Sequence, residues 1–458
     1  MEKTSKNNKS LKSRVVVASS WAMAGFGLGQ LIRLSSNLIM TRLLVPEMFG
    51  LMALCQVFLF IMALISDIGI RPSIIRSDRV DDPRFLNTAW TVQILRGGII
   101  TSMVLLAALS INIGNQFNFF TENSAYTSQN LPLIIGVMAF TAFIGSFNST
   151  NTTLAQRKLL LGRLTVLEIA SQVFGIILMI LWAILVEKNI WALVIGSFGT
   201  VILNTILSHT SFPGIRNKIH WDWSAFWEIF HFGKWILLSS VITAILAQGD
   251  RFILGNKLST ETLGVYVIAF FLVFSVKQAI QKLNSVVFFP LFNEIKYEKL
   301  DKITQIYYNI RCRSDAISMT MAGVLFVSGE TIVKLLFDDR YLEAGWMLSA
   351  LSFSLLFTGT IISGALYFSL NKPKYVSLMS IVEAIALIGG MIYFFDMGGL
   401  EFGIWVVAFY SITSIPIDLY IKKKMGILVL YKEFYMLPIA LIGCLLGLLF
   451  NQLILFTL

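Results

Sequence analysis

The chain of 458 residues is 56% hydrophobic and 14% charged, whereas soluble domains carry about 25% charged residues. Apolar stretches of about 20 residues recur along its whole length, each long enough to cross roughly 30 Å of hydrocarbon, and the alternating pattern of a transmembrane barrel is missing. The net charge of +10 does not point to nucleic acid, because the basic residues gather in the loops of one membrane side.

The N-terminus, MEKTSKNNKSLKSR, reads as an uncleaved basic cytoplasmic tail over residues 1–14. The apolar run behind it is too long for a signal peptide and no A-x-A site follows. Thirteen apolar segments are predicted, at 15–40, 50–70, 90–112, 131–152, 164–186, 190–212, 234–255, 264–290, 314–337, 344–370, 376–396, 402–421 and 434–457. With the N-terminus inside, most Lys and Arg fall in inner loops, including Arg311, Lys422 and Lys432. The outer loops hold only Arg42, Lys188, Lys257 and Arg340. The protein is therefore expected to be an all-α polytopic membrane protein of about thirteen (12–14) transmembrane helices.

A weak internal repeat organises the chain. NLIMTRLLVPEMFGLMAL, from Asn37, reappears at an offset of 214 residues as RFILGNKLSTETLGVYVI, from Arg251. Leu44 falls on Leu258, Glu47 on Glu261, Gly50 on Gly264 and, upstream, Trp21 on Trp235. Each copy reads as helix, short turn carrying Glu, then Gly opening the next helix, which predicts two related membrane halves. The domains expected are the tail 1–14, an N-terminal six-helix lobe 15–212, a linker 213–233, a C-terminal six-helix lobe 234–421, and a basic loop with an additional helix at 422–458. The aromatic run Ile219 to Trp235, with Asp222 as a cap, predicts a short interfacial helix between the lobes.

No P-loop, GxSxG or HExxH is present, and His209, His220 and His231 lack metal-ligand spacing. Cys55, Cys312 and Cys444 read as buried thiols. Neither an enzyme nor a metal site is expected. The informative residues are polar ones within apolar segments, where charge is costly and faces a cavity. Gln30, Arg33 and Asn37 share one face of the first segment, and Ser240, Thr243 and Asp250 share a stripe of the seventh beside Arg251. In the eighth, Lys277, Gln281 and Asn284 form one row, and Gln278, Lys282 and Ser285 the next. Together they predict a basic, hydrogen-bonding lining for an anionic amphiphile, with Arg33, Lys277, Arg251 and Lys282 holding phosphate. The competing reading pairs Arg251 with Asp250 and lets Lys282 snorkel, as Arg96 and Lys234 are expected to do. Among Asp67, Glu168, Glu383 and Asp418, the residues Glu383 and Asp67 are candidates for H⁺ or Na⁺ coupling. Gly25 and Gly29 predict close helix packing, and Pro416 and Pro438 predict kinks.

The run WAMAGFGLGQLIRLSSNLIMTRLLVPEMFGLMAL, then SDIGI and LNTAWTVQILRG, resembles the polysaccharide transporter family. These are Wzx-like lipid-linked oligosaccharide flippases of the multidrug/oligosaccharidyl-lipid/polysaccharide exporter superfamily. The resemblance implies two six-helix lobes around a central cavity, often with fourteen helices. It implies translocation of undecaprenyl-diphosphate-linked sugar units for O-antigen, exopolysaccharide or teichuronic-type polymers across a bacterial or archaeal plasma membrane. A polysaccharide polymerase and a chain-length regulator are the implied protein partners, and no cofactor is expected. Arg33 matches by its place in the first helix the basic cavity residues that relatives use for the diphosphate. The alternatives are a multidrug antiporter of the same fold, which should show cavity carboxylates; a membrane scaffold, which has no reason to bear intramembrane polar faces; and a membrane glycosyltransferase, which calls for a large outer loop.

Overall fold

The computed structural model describes residues 2–457, and side chains at all of these but 2–16, 18, 234–236, 238 and 457. The side chains of the basic tail, of Lys234 and of Trp235 thus lie outside the described residues. Among the described residues the chain is helices joined by turns and short irregular stretches. The helices are α1 (Glu2–Leu43), α2 (Pro46–Ile65), α3 (Ile70–Arg76), α4 (Pro83–Gln116), α5 (Leu131–Ser146), α6 (Asn151–Arg157), α7 (Leu161–Leu185), α8 (Trp191–Thr210) and α9 (Trp223–Lys257). The second half continues with α10 (Thr260–Leu283), α11 (Phe289–Ile295), α12 (Leu300–Leu336), α13 (Ala344–Ser352), α14 (Gly359–Ser369), α15 (Pro373–Phe409), α16 (Ile415–Met425), α17 (Leu430–Phe434) and α18 (Ile439–Thr457).

The repeat is realised in the backbone. Helix α1 ends at Leu43 and α9 at Lys257, while α2 begins at Pro46 and α10 at Thr260, so both boundaries keep the offset of 214. The start signals differ chemically but serve the same purpose. Pro46 needs no N–H partner at a helix start, and at the second copy the Ser259 hydroxyl accepts from the Thr262 amide. Leu44 and Leu258 are buried. Gly50 and Gly264 let α2 and α10 approach closely: a Cβ on Gly264 would lie 3.1 Å from the Gly50 nitrogen and inside contact distance of the Pro46 carbonyl oxygen.

Contacts divide the chain into two units. One comprises Met1–Leu44, Leu51–Ala244 and Gly255–Lys257; the other comprises Val45–Gly50, Ile245–Leu254 and Leu258–Leu458. The stretch 213–233 falls within the first unit, and the chain passes to the second along α9. The aromatic run is not a separate interfacial helix. From Trp223 it belongs to the 35-residue α9, since Gly233 alone is too weak a breaker to end an apolar helix.

Among the described residues nine helices are long and apolar enough to span a membrane, or ten if α5 and α6, bent by 63°, count as one. The count of thirteen is not reproduced. The segments at 376–396 and 402–421 run together in Pro373–Met425, joined by a turn at Gly398–Gly399. The helices of the first and seventh segments, parts of which lie outside the described residues, are not in that number. Pro416 and Pro438 do not kink helices: Pro416 lies in the first turn of α16 and Pro438 directly precedes α18, where a missing N–H costs nothing. Gly25 and Gly29 face Thr165 and Gln172 of α7, in keeping with close helix packing.

At one end of the first unit, residues 213–222 form a strap along α4. The amides of Lys218, His220 and Asp222 donate to Asn87 Oδ1, Thr91 Oγ1 and Thr88 Oγ1 at 3.0, 3.0 and 3.1 Å, the every-second-residue pattern of extended chain. Arg79 fastens its end, reaching Asp82 at 2.9 Å and Asp222 at 3.1 Å. Hydrogen bonds from Arg79 hold both carboxyls below the usual carboxylate range. Depressed folded values stabilise above the unfolded value near pH 4 and are lost as pH falls through the lower folded ones. The expected result is release of the strap only in acid below about pH 4, read as a change in Trp221 and Trp223 fluorescence. Arg79→Gln should remove that transition, and an unchanged transition in the variant would refute the assignment.

Candidate functional site

In the first unit, α1 presents the predicted face. Arg33 is exposed, and its Nε donates to Gln30 Oε1 at 3.2 Å, one turn back. Glu168 on α7 is the carboxylate whose charge acts on it. Asn37 is half-buried one turn further. The Ser240–Thr243 part of α9 also groups here; Ser240 is buried, while Thr243 is exposed and bonds back to the Ser239 carbonyl at 3.0 Å. Asp67 stands at the end of α2, accepting from the Gly69 amide at 3.0 Å and lying 3.7 Å from Arg96. Arg96 does not snorkel. It donates to the Ser66 and Ala63 carbonyls at 2.9 and 2.6 Å, because the last carbonyls of a helix lack partners.

The second unit gathers the other candidates around α10. Asp250 is 3% exposed and accepts from Tyr266 at 2.5 Å, and its Oδ1 has no partner. Arg251 pairs with Gln248 at 2.7 Å rather than with Asp250, and its guanidinium lies 4.2 Å over the Phe270 ring. Its Nε is buried without a partner. Lys277 is half-buried, its ammonium 6.0 Å from the Tyr410 ring centre, with Glu383 and Asp250 as the acids acting on it. Glu383 accepts from the Ser414 hydroxyl at 2.6 Å. Gln278 and Lys282 are half-buried and Gln281 is exposed. Asn284 leaves the row: α10 passes there into a π turn, Asn284–Phe288, and its amide donates to the Ile361 carbonyl of α14 at 3.1 Å. Such π turns in helices often accompany function. Lys277, Glu383, Ser414, Tyr410, Asp250 and Tyr266 thus form one polar group inside this unit.

Sequence reasoning missed a second polar centre of the same unit. Arg311 lies within α12, which begins at Leu300 rather than near 314, and Lys422 is 0% exposed in α16, not in a loop. Lys422 contacts Asp418 at 2.6 Å and both oxygens of Glu433 at 2.9 Å. Arg311 contacts Asp315 at 3.1 Å, and also Glu433. Tyr308 donates to Glu433 at 2.7 Å, Tyr367 to Asp418 at 2.6 Å and Ser363 to Asp418 at 3.0 Å. The i, i+4 pairs Arg311–Asp315 and Asp418–Lys422 were the signal available in the sequence.

The description "Polysaccharide biosynthesis protein" matches residues 39–346. The teichuronic acid biosynthesis protein TuaB of Bacillus subtilis (strain 168) is 23% identical over 295 residues, 63% of this chain and 57% of that protein. The lipopolysaccharide biosynthesis protein WzxC of Escherichia coli (strain K12) is 20% identical over 343 residues, 72% of this chain and 65% of that protein. The chain thus spans less than two thirds of the length of the curated relatives it matches. In fold, it is similar to an inward closed lipid II flippase MurJ, with TM-score 0.65 and 13% identity, covering 94% of this chain and 98% of that one. It is equally similar to an inward-facing MATE family multidrug transporter of the MOP superfamily, with TM-score 0.66 and 13% identity, covering 95% of this chain and 97% of that one.

Proposed function

The chain belongs to the polysaccharide biosynthesis protein family, and from this we propose that it flips a lipid-linked oligosaccharide across a plasma membrane of a bacterium or archaeon. The family match carries the reading. It is supported by the fold shared with a lipid II flippase and by the cost of keeping Arg33 and Lys277 in apolar helices. The substrate is an undecaprenyl-diphosphate-linked repeat unit, and it enters from the cytoplasmic side, where the N-terminus lies. In the first unit Arg33 offers paired N–H groups to a phosphate, and in the second Lys277 offers a point charge. Arg251 and Lys282 extend the basic lining, while Gln30, Asn37, Ser240, Thr243, Gln278, Gln281 and Asn284 meet sugar hydroxyls. Transport proceeds by alternating access without a chemical step, and H⁺ or Na⁺ entering at Glu383 or Asp67 drives it. A polymerase and a chain-length regulator receive the product.

The test is transport in proteoliposomes of a fluorescent undecaprenyl-diphosphate oligosaccharide, with an organic cation dye in parallel. Arg33→Ala and Lys277→Ala should each slow the lipid-linked sugar roughly tenfold to a hundredfold, the worth of one charged hydrogen bond. The shared fold with a multidrug transporter supports a second reading as a drug antiporter. Movement of the dye alone would establish it and remove the phosphate roles.

A further inference from the structure

The polar centre that joins α12, α16 and α17 does not balance electrically. Asp315, Asp418 and Glu433 meet Arg311 and Lys422, so three acids face two bases. If all five ionise, the group carries one net negative charge. Its members are buried: Asp315 and Asp418 are 2% exposed, Glu433 4% and Lys422 0%. A buried charge without a partner is costly enough that the group neutralises instead. The charges that act most on Asp315 are those of Arg311, Glu433 and Lys422. Lys432 of α17 stands over the Tyr308 ring, 5.6 Å from its centre, and is half-buried. Arg313 and Lys423 are exposed, where water screens them. Of the other helices packed on α12, α13, α14 and α18 contain no charged residue, and α10 brings Lys277, which faces Tyr410, and Lys282 in its last turn. The remaining titratable groups around the centre are Tyr307, Tyr308, Tyr367 and Tyr435.

The three carboxyls are met unequally. Glu433 has Lys422 on both oxygens, Tyr308 and Arg311. Asp418 has Lys422, Tyr367 and Ser363. Among the described residues Asp315 is met by Arg311 only, on Oδ2 at 3.1 Å, and its Oδ1 is buried without a partner. The uncompensated charge therefore falls on Asp315. A metal cation is a poor fit there, because it needs several oxygens at once and would meet the positive charges of Arg311 and Lys422. A proton needs one oxygen.

We propose that Asp315 is a proton-binding site, and that a proton on its Oδ1 brings the Arg311–Lys422 centre to neutrality. The inference stands apart from the flippase reading and from the carboxylates assigned to coupling there. Its consequence is mechanical. With Asp315 neutral, the charge of Arg311 serves Glu433 alone and fastens α17 to α12, a junction that the Val429 amide completes by donating to Tyr308 at 2.9 Å. With Asp315 ionised, the two carboxylates compete for one guanidinium.

The experiment is infrared spectroscopy of the full chain in lipid nanodiscs at neutral pH, with carbon-13 at the side-chain carboxyl of aspartate. The difference between wild type and Asp315→Asn is expected to contain the C=O stretch of a protonated carboxyl, displaced by the label. A difference without that band overturns the proposal. Glu433→Gln leaves Asp315 in place but lets two acids balance two bases, so Asp315 should ionise and the same band should vanish. Its persistence in Glu433→Gln would overturn the charge-balance argument, and this variant decides the matter if Asp315→Asn does not fold. Loss of the band when sodium replaces potassium at constant pH would assign the site to a metal cation and equally overturn the proposal. Hydrogen exchange of amides 430–434 should be the same in Asp315→Asn as in the wild type. Faster exchange there would show that an ionised Asp315 anchors Arg311, against the proposal.

Discussion

Replacing Lys422 with methionine is expected to destabilise the second unit by about 3–5 kcal/mol. Thermal unfolding of the purified protein should then fall by on the order of 10 °C. Lys422 is completely buried and lies between Asp418 and Glu433. Methionine fills a similar volume, so lost packing contributes little. What remains is two buried carboxylates, of which Asp418 keeps only neutral donors from Tyr367 and Ser363. Glu433 retains Arg311, but Arg311 is shared with Asp315. An unpaired buried charge is the large term, and the ion pair itself contributes little, because desolvation offsets most of its attraction. Hence Lys422→Met combined with Asp418→Asn and Glu433→Gln should recover much of the loss. A single variant that melts with the wild type would show that water reaches the network.

The second large effect is expected at Gly264→Ala. The added methyl would overlap the Pro46 carbonyl oxygen and crowd the Gly50 nitrogen at 3.1 Å. Both obstacles are backbone at helix starts, so no side chain can swing aside. Separation of α2 from α10 should cost about 3 kcal/mol, the upper end of overpacking. Gly50→Ala should do the same, because its Cβ would meet the Thr260 carbonyl oxygen. Gly27→Ala is the control: no atom lies within 4 Å of the site, and the exchange should be neutral or stabilising by up to about 1 kcal/mol. Cysteine-free versions of all three, compared by thermal melting, give the ranking. If Gly264→Ala behaves like Gly27→Ala, close packing at the repeat does not matter.

These cases mark what could be read in the residues alone. The helical membrane class followed from apolar segment length, and the repeat from four coincident residues that later proved to share helix boundaries. The polar rows were readable where a helix stayed regular, as at Gln30 and Arg33. They failed at Asn284, because a π turn depends on packing against α14 and leaves no mark on a 3.6-residue pattern. The Arg311–Lys422–Glu433 centre was hidden by a boundary error. Apolar content places the start of α12 near 314, whereas the helix continues back to Leu300, where Lys302 pairs with Glu298 and Arg311 with Asp315 and with Glu433 of α17. No one-dimensional pattern shows a centre whose members Arg311 and Lys422 stand 111 positions apart.

The contact of the repeats has a further consequence. Gly50 is opposed by the Thr260 carbonyl and Gly264 by the Pro46 carbonyl, and Pro46 and Thr260 are themselves equivalent at the offset of 214. Position i touches j while j touches i, which is the reciprocity of an isologous twofold interface. A chain of half this length, paired with a copy of itself, would bring one and the same glycine face to face across the axis. A single substitution in such a homodimer strikes twice, whereas the fused chain permits the two sides to vary independently. One side has used that freedom: Pro46 opens its helix by having no N–H to satisfy, and Ser259 opens the other by accepting one.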